Sequence, residues 1–283
     1  MSEIEENLRK SVAELLRAGQ VKFVIGYEAG PTRNSTRPCF VDRPEESAKL
    51  VWNENCRLNL TRYLPGTNEK IGIVVKGCDG RALVELIKEN QVKRENMRVI
   101  APECSGVSSA TPVGSTSGVE RTTAEHCRQC RVRISPISDI LLRCAKQSPP
   151  SVAEPSEAGH SPRDSKTSWL GLFRECIKCM ACVKACPLCY CVECVIGGQK
   201  PILVSKLRMP DELLTFHLIR GLHMAGRCTE CGACESACPV GIPLTRFYSQ
   251  LNKEFNRIAN YTPGMDLESK SPVKMLEIEG VVR

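Results

Sequence analysis

Two stretches of this chain repeat one cysteine spacing, and the repeat limits the fold more than any other feature. The first is Cys176, Cys179, Cys182 and Cys186, followed by Pro187; the second is Cys228, Cys231, Cys234 and Cys238, followed by Pro239. Each reads C-x₂-C-x₂-C-x₃-C-P, a spacing that holds [4Fe–4S] clusters. Three thiolates two residues apart wrap one corner of a cubane. The fourth, three residues on, starts a helix that leads away, so it reaches the other cluster. The proline fixes φ at that start, where a missing N–H costs little. On this pattern one cluster takes Cys176, Cys179, Cys182 and Cys238, and the other takes Cys228, Cys231, Cys234 and Cys186. Zinc favours two separated C-x₂-C pairs rather than three cysteines and a C-P, and a repeated motif rarely arises by accident.

The chain has 283 residues, enough for one or two domains each with a core. Its 18 cysteines would suggest disulfides in a small secreted protein. The start, MSEIEENLRKS, is acidic and lacks an apolar signal segment. No apolar run reaches the length of a membrane span. A cytoplasmic, reducing setting with metal-bound thiolates is therefore expected, and the oxygen sensitivity of exposed clusters points to an anaerobe. The formal charge of +7 counts cysteines as neutral, so the loaded protein is less positive. With aromatics at 5%, no stacking surface for nucleic acid is expected.

In chain order, residues 3–18 read as a helix with Ile4, Leu8, Val12, Leu15 and Leu16 on one face, ended by Gly19. Val21 to Ile25 reads as a buried strand and residues 45–64 as a helix stopped by Pro65 and Gly66. Ile71 to Val75 and Met97 to Ala101 read as strands flanking the helix in KGCDGRALVELIKEN. This alternation implies a small parallel α/β layer. Residues 105–124 read as loop, Ile137 to Cys144 as a short helix, and the polar stretch 145–168 as a mobile linker. Pro210 to Ala225 and Leu244 to Ile258 have helical apolar spacing, so a helix separates the two cysteine runs. The expected organisation is an α/β domain over residues 1–144, the linker 145–168, a helical [4Fe–4S] dicluster, ferredoxin-like domain over 169–262, and a tail over 263–283.

Beyond the two runs, Cys78 and Cys104 fall at the C-terminal ends of strands, which in a parallel sheet share one edge where ligands bind. The loop after Cys104 carries Cys127 and Cys130, so four thiols converge on a candidate third [4Fe–4S] site. Cys56, placed on the preceding helix, is a reserve ligand. Zinc and unliganded thiols are the rivals for this site. Cys189, Cys191 and Cys194 are surplus to two clusters and read as sulfur neighbours, substitute ligands or packed thiols. Gly77 to Gly80 opens a helix after a strand; an anion site and a tight turn capped by Asp79 explain it equally well. His217 and His223 read as surface residues in preference to donors near a cluster. Cys39 has no partner in sequence.

With these residues assembled, KGCDGRALVELIKENQVKRENMRVIAPEC at 76–104 resembles the beta-subunit family of deazaflavin-reducing hydrogenases and formate dehydrogenases. CIKCMACVKACPLCYCVEC at 176–194 and HMAGRCTECGACESACPVGIPL at 223–244 resemble the dicluster subunits of heterodisulfide-reductase-type complexes. The resemblance implies a non-catalytic iron–sulfur subunit of an oxidoreductase complex. It would relay electrons between a flavin-containing dehydrogenase, formate dehydrogenase or hydrogenase subunit and a heterodisulfide-reductase-like partner. The alternative it implies is an FAD-binding subunit that itself reduces or oxidises a nicotinamide or deazaflavin; a zinc-held scaffold is a third. No G-x-G-x-x-G fingerprint sits at a strand–helix turn to hold FAD. Family members usually carry the cluster motif before the α/β part, whereas here it follows. A mobile linker would break a relay, so a domain arrangement fixed only within a larger complex is expected. The Leu244 to Ile258 helix and the tail Met275 to Val282 are the candidate contact surfaces.

Overall fold

A computed structural model of the chain describes residues 2–32, 34–109, 122–128, 130–143, 168–197 and 208–271. The first helix, α1 (Glu3–Arg17), opens on Ser2, whose hydroxyl accepts from the Glu5 N–H at 3.2 Å. Glu3, Glu5 and Glu6 in its first turn oppose the helix dipole. Ile4, Leu8, Val12 and Leu15 bury one stripe against the sheet. Sealing Leu8 and Val12 completely contributes about 1.5–3 kcal/mol each. Gly19, at φ +63°, turns the chain out of the helix.

Among the described residues the sheet has five strands: β1 (Val24–Ala29), β2 (Thr36–Val41), β3 (Ile71–Val74), β4 (Met97–Pro102) and β5 (Ile140–Leu142), in the order β2-β1-β3-β4-β5. All neighbours are parallel except β1 and β2. Alternation along the strands makes two cores. Val24, Val74 and Ile100 face α1, whereas Ile25, Ile73 and Val99 face the opposite layer, which holds α2 (Gly77–Lys88).

The α/β reading holds, with local corrections. The edge strand β2, which the sequence reading lacked, contains Pro38; proline donates no ladder bond, and on an edge that loss is tolerated. Residues 45–64 are not a helix but two 3-10 turns, Pro44–Lys49 and Leu60–Tyr63, with irregular chain between. Asn53 and Asn59 side chains capture the N–H groups of Asn55 and Thr61, at 2.9 and 3.1 Å, offering the backbone another partner. The segment expected as a helix from Ile137 holds strand β5 instead. Asp139 pins it, accepting from the Val99 N–H at 2.7 Å and from Arg94 at 2.9 Å.

The cysteine-rich half contains α4 (Trp169–Arg174), α5 (Ala181–Ala185), α6 (Pro210–Met224), α7 (Ala233–Ser236) and α8 (Leu244–Ala259); a short α3 (Glu125–Arg128) precedes it in the chain. One apolar cluster runs unbroken from Leu83 and Leu86 of α2 to Phe173, Phe216 and Phe247 of this half.

A stripe of α2 side chains one helical face apart joins the halves. Arg81 donates to the Pro263 and Thr229 carbonyls, at 2.9 and 3.3 Å. Glu85 accepts from Tyr261 Oη and the Gly264 N–H, both at 2.6 Å. Lys88 donates to Ser269 at 3.0 Å. Glu89, just past the helix, pairs with Arg227 and accepts from Tyr190 Oη at 2.8 Å. These contacts join the two halves within the chain itself. Residues 145–167 of the expected linker and the tail Met275 to Val282 lie outside the described residues.

Candidate metal centres

The two runs adopt the same backbone. In the first, Lys178 and Met180 sit in the left-handed region at φ +53° and +63°; in the second, Glu230 and Gly232 do so at +57° and +72°. These paired reversals curl each loop so that three thiols share one concavity. They also aim an N–H at the leading sulfur, from Lys178 to Cys176 at 3.3 Å and from Glu230 to Cys228 at 3.4 Å. Contrary to the expectation from the spacing, the last cysteine of each run does not start a helix but follows a short one, α5 before Cys186 and α7 before Cys238.

Those helices carry the fourth thiols across. Cys176, Cys179, Cys182 and Cys238 line one pocket, together with Phe216, His217 and Ile242. Cys186, Cys228, Cys231 and Cys234 line a second, together with Arg220, Met224 and Tyr248. Each pocket therefore draws three thiols from one run and one from the other.

Arg220 is the residue here that the sequence reading missed. It is almost fully buried on the inward face of α6 and donates to the Cys182 carbonyl at 3.0 Å and to Tyr248 Oη. Its Nε has no partner, and no carboxylate pairs with it among the described residues. Burial works against its charge, and ionised thiolates at Cys234 and Cys186 would favour it. A buried cation ringed by thiols fits an anionic occupant, and a cubane ligated by four thiolates carries net negative charge. The legible signal was an arginine on an otherwise apolar stripe with Leu213, Phe216 and Met224.

His217 corrects a second expectation. It is not a surface residue: it is buried, stacks on Phe173 at a centroid distance of 4.2 Å, and lines the first pocket with both nitrogens unpartnered. Burial holds it neutral, with its pKa lowered to about 4. His223 is exposed, as expected of a surface residue.

At the sheet's C-terminal edge, Cys78 in the first turn of α2 and Cys104 after β4 meet Cys127 and Cys130 around a cavity of about 570 Å³. Backbone N–H groups again reach sulfur, from Gly106 to Cys104 and from Val107 to Cys127, both at 3.4 Å. Burial pushes the Cys127 thiol up to about 11 and raises Cys78 well above the thiol range. Burial thus favours the protonated thiol at Cys78 and Cys127, so a metal bound by them displaces their protons. Among the described residues, no three His, Cys, Asp or Glu are placed to hold a single metal ion, here or in the two run pockets.

Cys56 does not line this cavity. It sits in a loop rather than on a helix, with its sulfur 3.8 Å from the Val51 carbonyl and 3.5 Å from the Asn53 N–H. Of the surplus cysteines, Cys189 lies against Cys186, Cys191 is exposed, and neither it nor Cys194 lines a cluster pocket.

The helix start at Gly77 follows the tight-turn reading. Asp79 accepts from the Lys76 N–H at 3.2 Å and from Lys76 Nζ at 2.8 Å, in a buried network with Tyr27. A Cβ at Gly77 would lie 2.8 Å from the Val132 carbonyl carbon, so the close approach of that chain requires glycine here.

The fold and the cysteine geometry define an iron–sulfur protein: residues 175–243 match the 4Fe-4S dicluster domain family. The whole chain resembles the beta subunits of F420-dependent formate dehydrogenases. It is 23% identical to that subunit from Methanocaldococcus jannaschii, with 89% of each chain covered. It is likewise 23% identical to the F420-dependent formate dehydrogenase 1 subunit beta of Methanococcus maripaludis, over 90% of this chain and 89% of the relative. No helix among the described residues is long and apolar enough to cross a membrane.

Proposed function

We propose that this chain is a cytoplasmic electron-transfer subunit of a formate-dehydrogenase-type complex, holding three [4Fe–4S] clusters in a row. Cys176, Cys179, Cys182 and Cys238 ligate the first, Cys228, Cys231, Cys234 and Cys186 the second, and Cys78, Cys104, Cys127 and Cys130 the third. An α/β domain over residues 1–144 carries the third cluster, and a dicluster domain over 169–262 carries the other two. The observation that carries the reading is a shared wall: Thr229, Glu230 and Cys231 line both the second-run pocket and the sheet-edge cavity. Neighbouring centres are what a relay needs.

Such clusters accept and release single electrons at potentials set by charge, hydrogen bonds to sulfur and solvent access. The chain supplies those settings through the N–H groups aimed at Cys104, Cys127, Cys176 and Cys228, through buried Arg220, and through the aromatic wall of Phe173, Phe216 and His217. It performs no substrate chemistry of its own. The first-run end is the port to a partner, because Cys179 is exposed there beside the exposed apolar Ile177 and Val240. A heterodisulfide-reductase-like subunit docks at that port, and a flavin-containing dehydrogenase or hydrogenase subunit docks nearer the sheet. Anaerobic affinity purification of the full chain from its native cells tests this. A formate-dehydrogenase-type catalytic subunit is expected to co-purify, and the separated chain is expected to show no flavin absorbance. A lone monomer that carries FAD and takes electrons unaided from a soluble donor would overturn the relay reading.

A further inference from the structure

The two runs differ at one position that their shared backbone makes equivalent. Met180 and Gly232 hold the same place in C-x₂-C-x₂-C, and both are left-handed, at φ +63° and +72°. The backbone therefore does not itself demand glycine in the second run, because methionine adopts the same conformation in the first. The reason lies across the interface. A Cβ at Gly232 would sit 2.7 Å from His126 Nδ1 and nearer still to Cε1 and Nε2. The imidazole lies on the Gly232 α-carbon. Its Nδ1 is sealed from solvent and makes no hydrogen bond, so shape rather than a polar contact holds the ring there.

His126 belongs to the short helix that carries Cys127, and it lines the sheet-edge cavity with Cys78, Cys104, Cys130 and Cys231. Gly232 lies between Cys231 and Cys234 in the wall of the second-run pocket. The ring thus covers the Gly232 segment of the next centre's ligand loop on the side of a cavity of about 570 Å³, which Thr229, Glu230 and Cys231 of the same loop line directly.

We propose that His126 is a positioning residue that shields the Gly232 side of the second-run centre from the sheet-edge cavity and fixes the gap between the two. This rests on the three-cluster reading for the identity of the cavity's occupant. The shielding itself concerns only the second-run centre. Water reaching that centre would favour its more negative, reduced form, so loss of the ring raises its midpoint potential.

The test is a potentiometric titration, followed by electron paramagnetic resonance, of the full chain reconstituted anaerobically with iron and sulfide. His126→Ala is expected to keep the wild-type iron content and to shift the second-run potential upward. His126→Phe, which refills the ring's footprint without its nitrogens, is expected to restore most of that shift. A merely structural role in folding the α3 loop would instead lower iron content without this rescue. If His126→Ala does lose iron, Gly232→Ala decides the matter. It pushes the ring away without changing the sequence of the α3 loop, in a backbone conformation that Met180 also adopts, and the same upward shift is expected. An unchanged potential in both His126→Ala and Gly232→Ala overturns the proposal. Only two clusters' worth of iron in the wild type would remove the third cluster while leaving the potential shift readable.

Discussion

Replacing Glu89 with alanine tests how the two halves are held together. Glu89 takes the Arg227 guanidinium with both oxygens, Nη2 to Oε2 at 2.7 Å, and accepts from Tyr190 Oη at 2.8 Å. The two charged side chains are only 15% and 12% exposed. Removing one partner of a fully buried pair costs about 3–5 kcal/mol, because the other charge is left without compensation. Arg227 retains contacts to the Leu188 and His223 carbonyls at 3.3 and 3.2 Å and some access to water, which lowers that to about 2 kcal/mol. Losing the Tyr190 hydrogen bond adds about 1 kcal/mol. A total near 3 kcal/mol corresponds to about a hundredfold rise in the population with the halves parted. Native-state hydrogen exchange in the loaded chain reads this at the amides of Glu85 to Glu89 and Arg227 to Glu230. Their protection is expected to fall by about that factor. Glu89→Ala combined with Arg227→Ala should cost less than Glu89→Ala alone, since no charge is stranded. Unchanged protection in Glu89→Ala, or a double variant that costs more than Glu89→Ala alone, would refute the reasoning.

Three further outcomes are expected. Cys238→Ser should abolish the spectroscopic signature of the first-run centre and spare the second-run centre; the opposite pattern would rule out crossed ligation. Asp79→Asn should destabilise the sheet-bearing half by about 3–5 kcal/mol, because it strands Lys76, whose side chain is 3% exposed; circular dichroism during chemical denaturation would show it, and a shift below about 1 kcal/mol would contradict it. Arg220→Met should leave the fold intact, since it replaces a buried cation by a similar apolar volume. It should also lower the second-run midpoint potential, because a positive charge favours the more negative reduced form; an unmoved potential would deny Arg220 its electrostatic role.

Cysteine spacing is a local code, so the grouping of three thiols from one run with one from the other could be written down from the sequence, and the same residues line the two pockets. The helix expected to start at each fourth cysteine instead ends before it. The sheet was legible where β-branched runs were continuous, as in β3 and β4. It was not where tertiary context overrode local signals: Pro38 is tolerated only because β2 is an edge, and β5 is three residues pinned by Asp139. The helix read over residues 45–64 failed because asparagine side chains took the backbone N–H groups. Arg220 left only a weak signal on its apolar stripe, His217 read as a surface residue in preference to a donor, and His126 gave no signal, because their surroundings come from elements distant in sequence, Tyr248, Phe173 and Gly232 respectively. The polar stripe of α2 was visible as residues, but its partners at 227–264 only the fold could name.

The central claim is that one chain holds three clusters in a contiguous row, and the direct measurement is iron and acid-labile sulfide per chain after anaerobic reconstitution. About twelve of each are expected in the wild type, four for every cluster, falling to about eight in Cys104→Ser with the signals of both run centres retained. About eight in the wild type, unchanged by Cys104→Ser, would contradict the account at its third site.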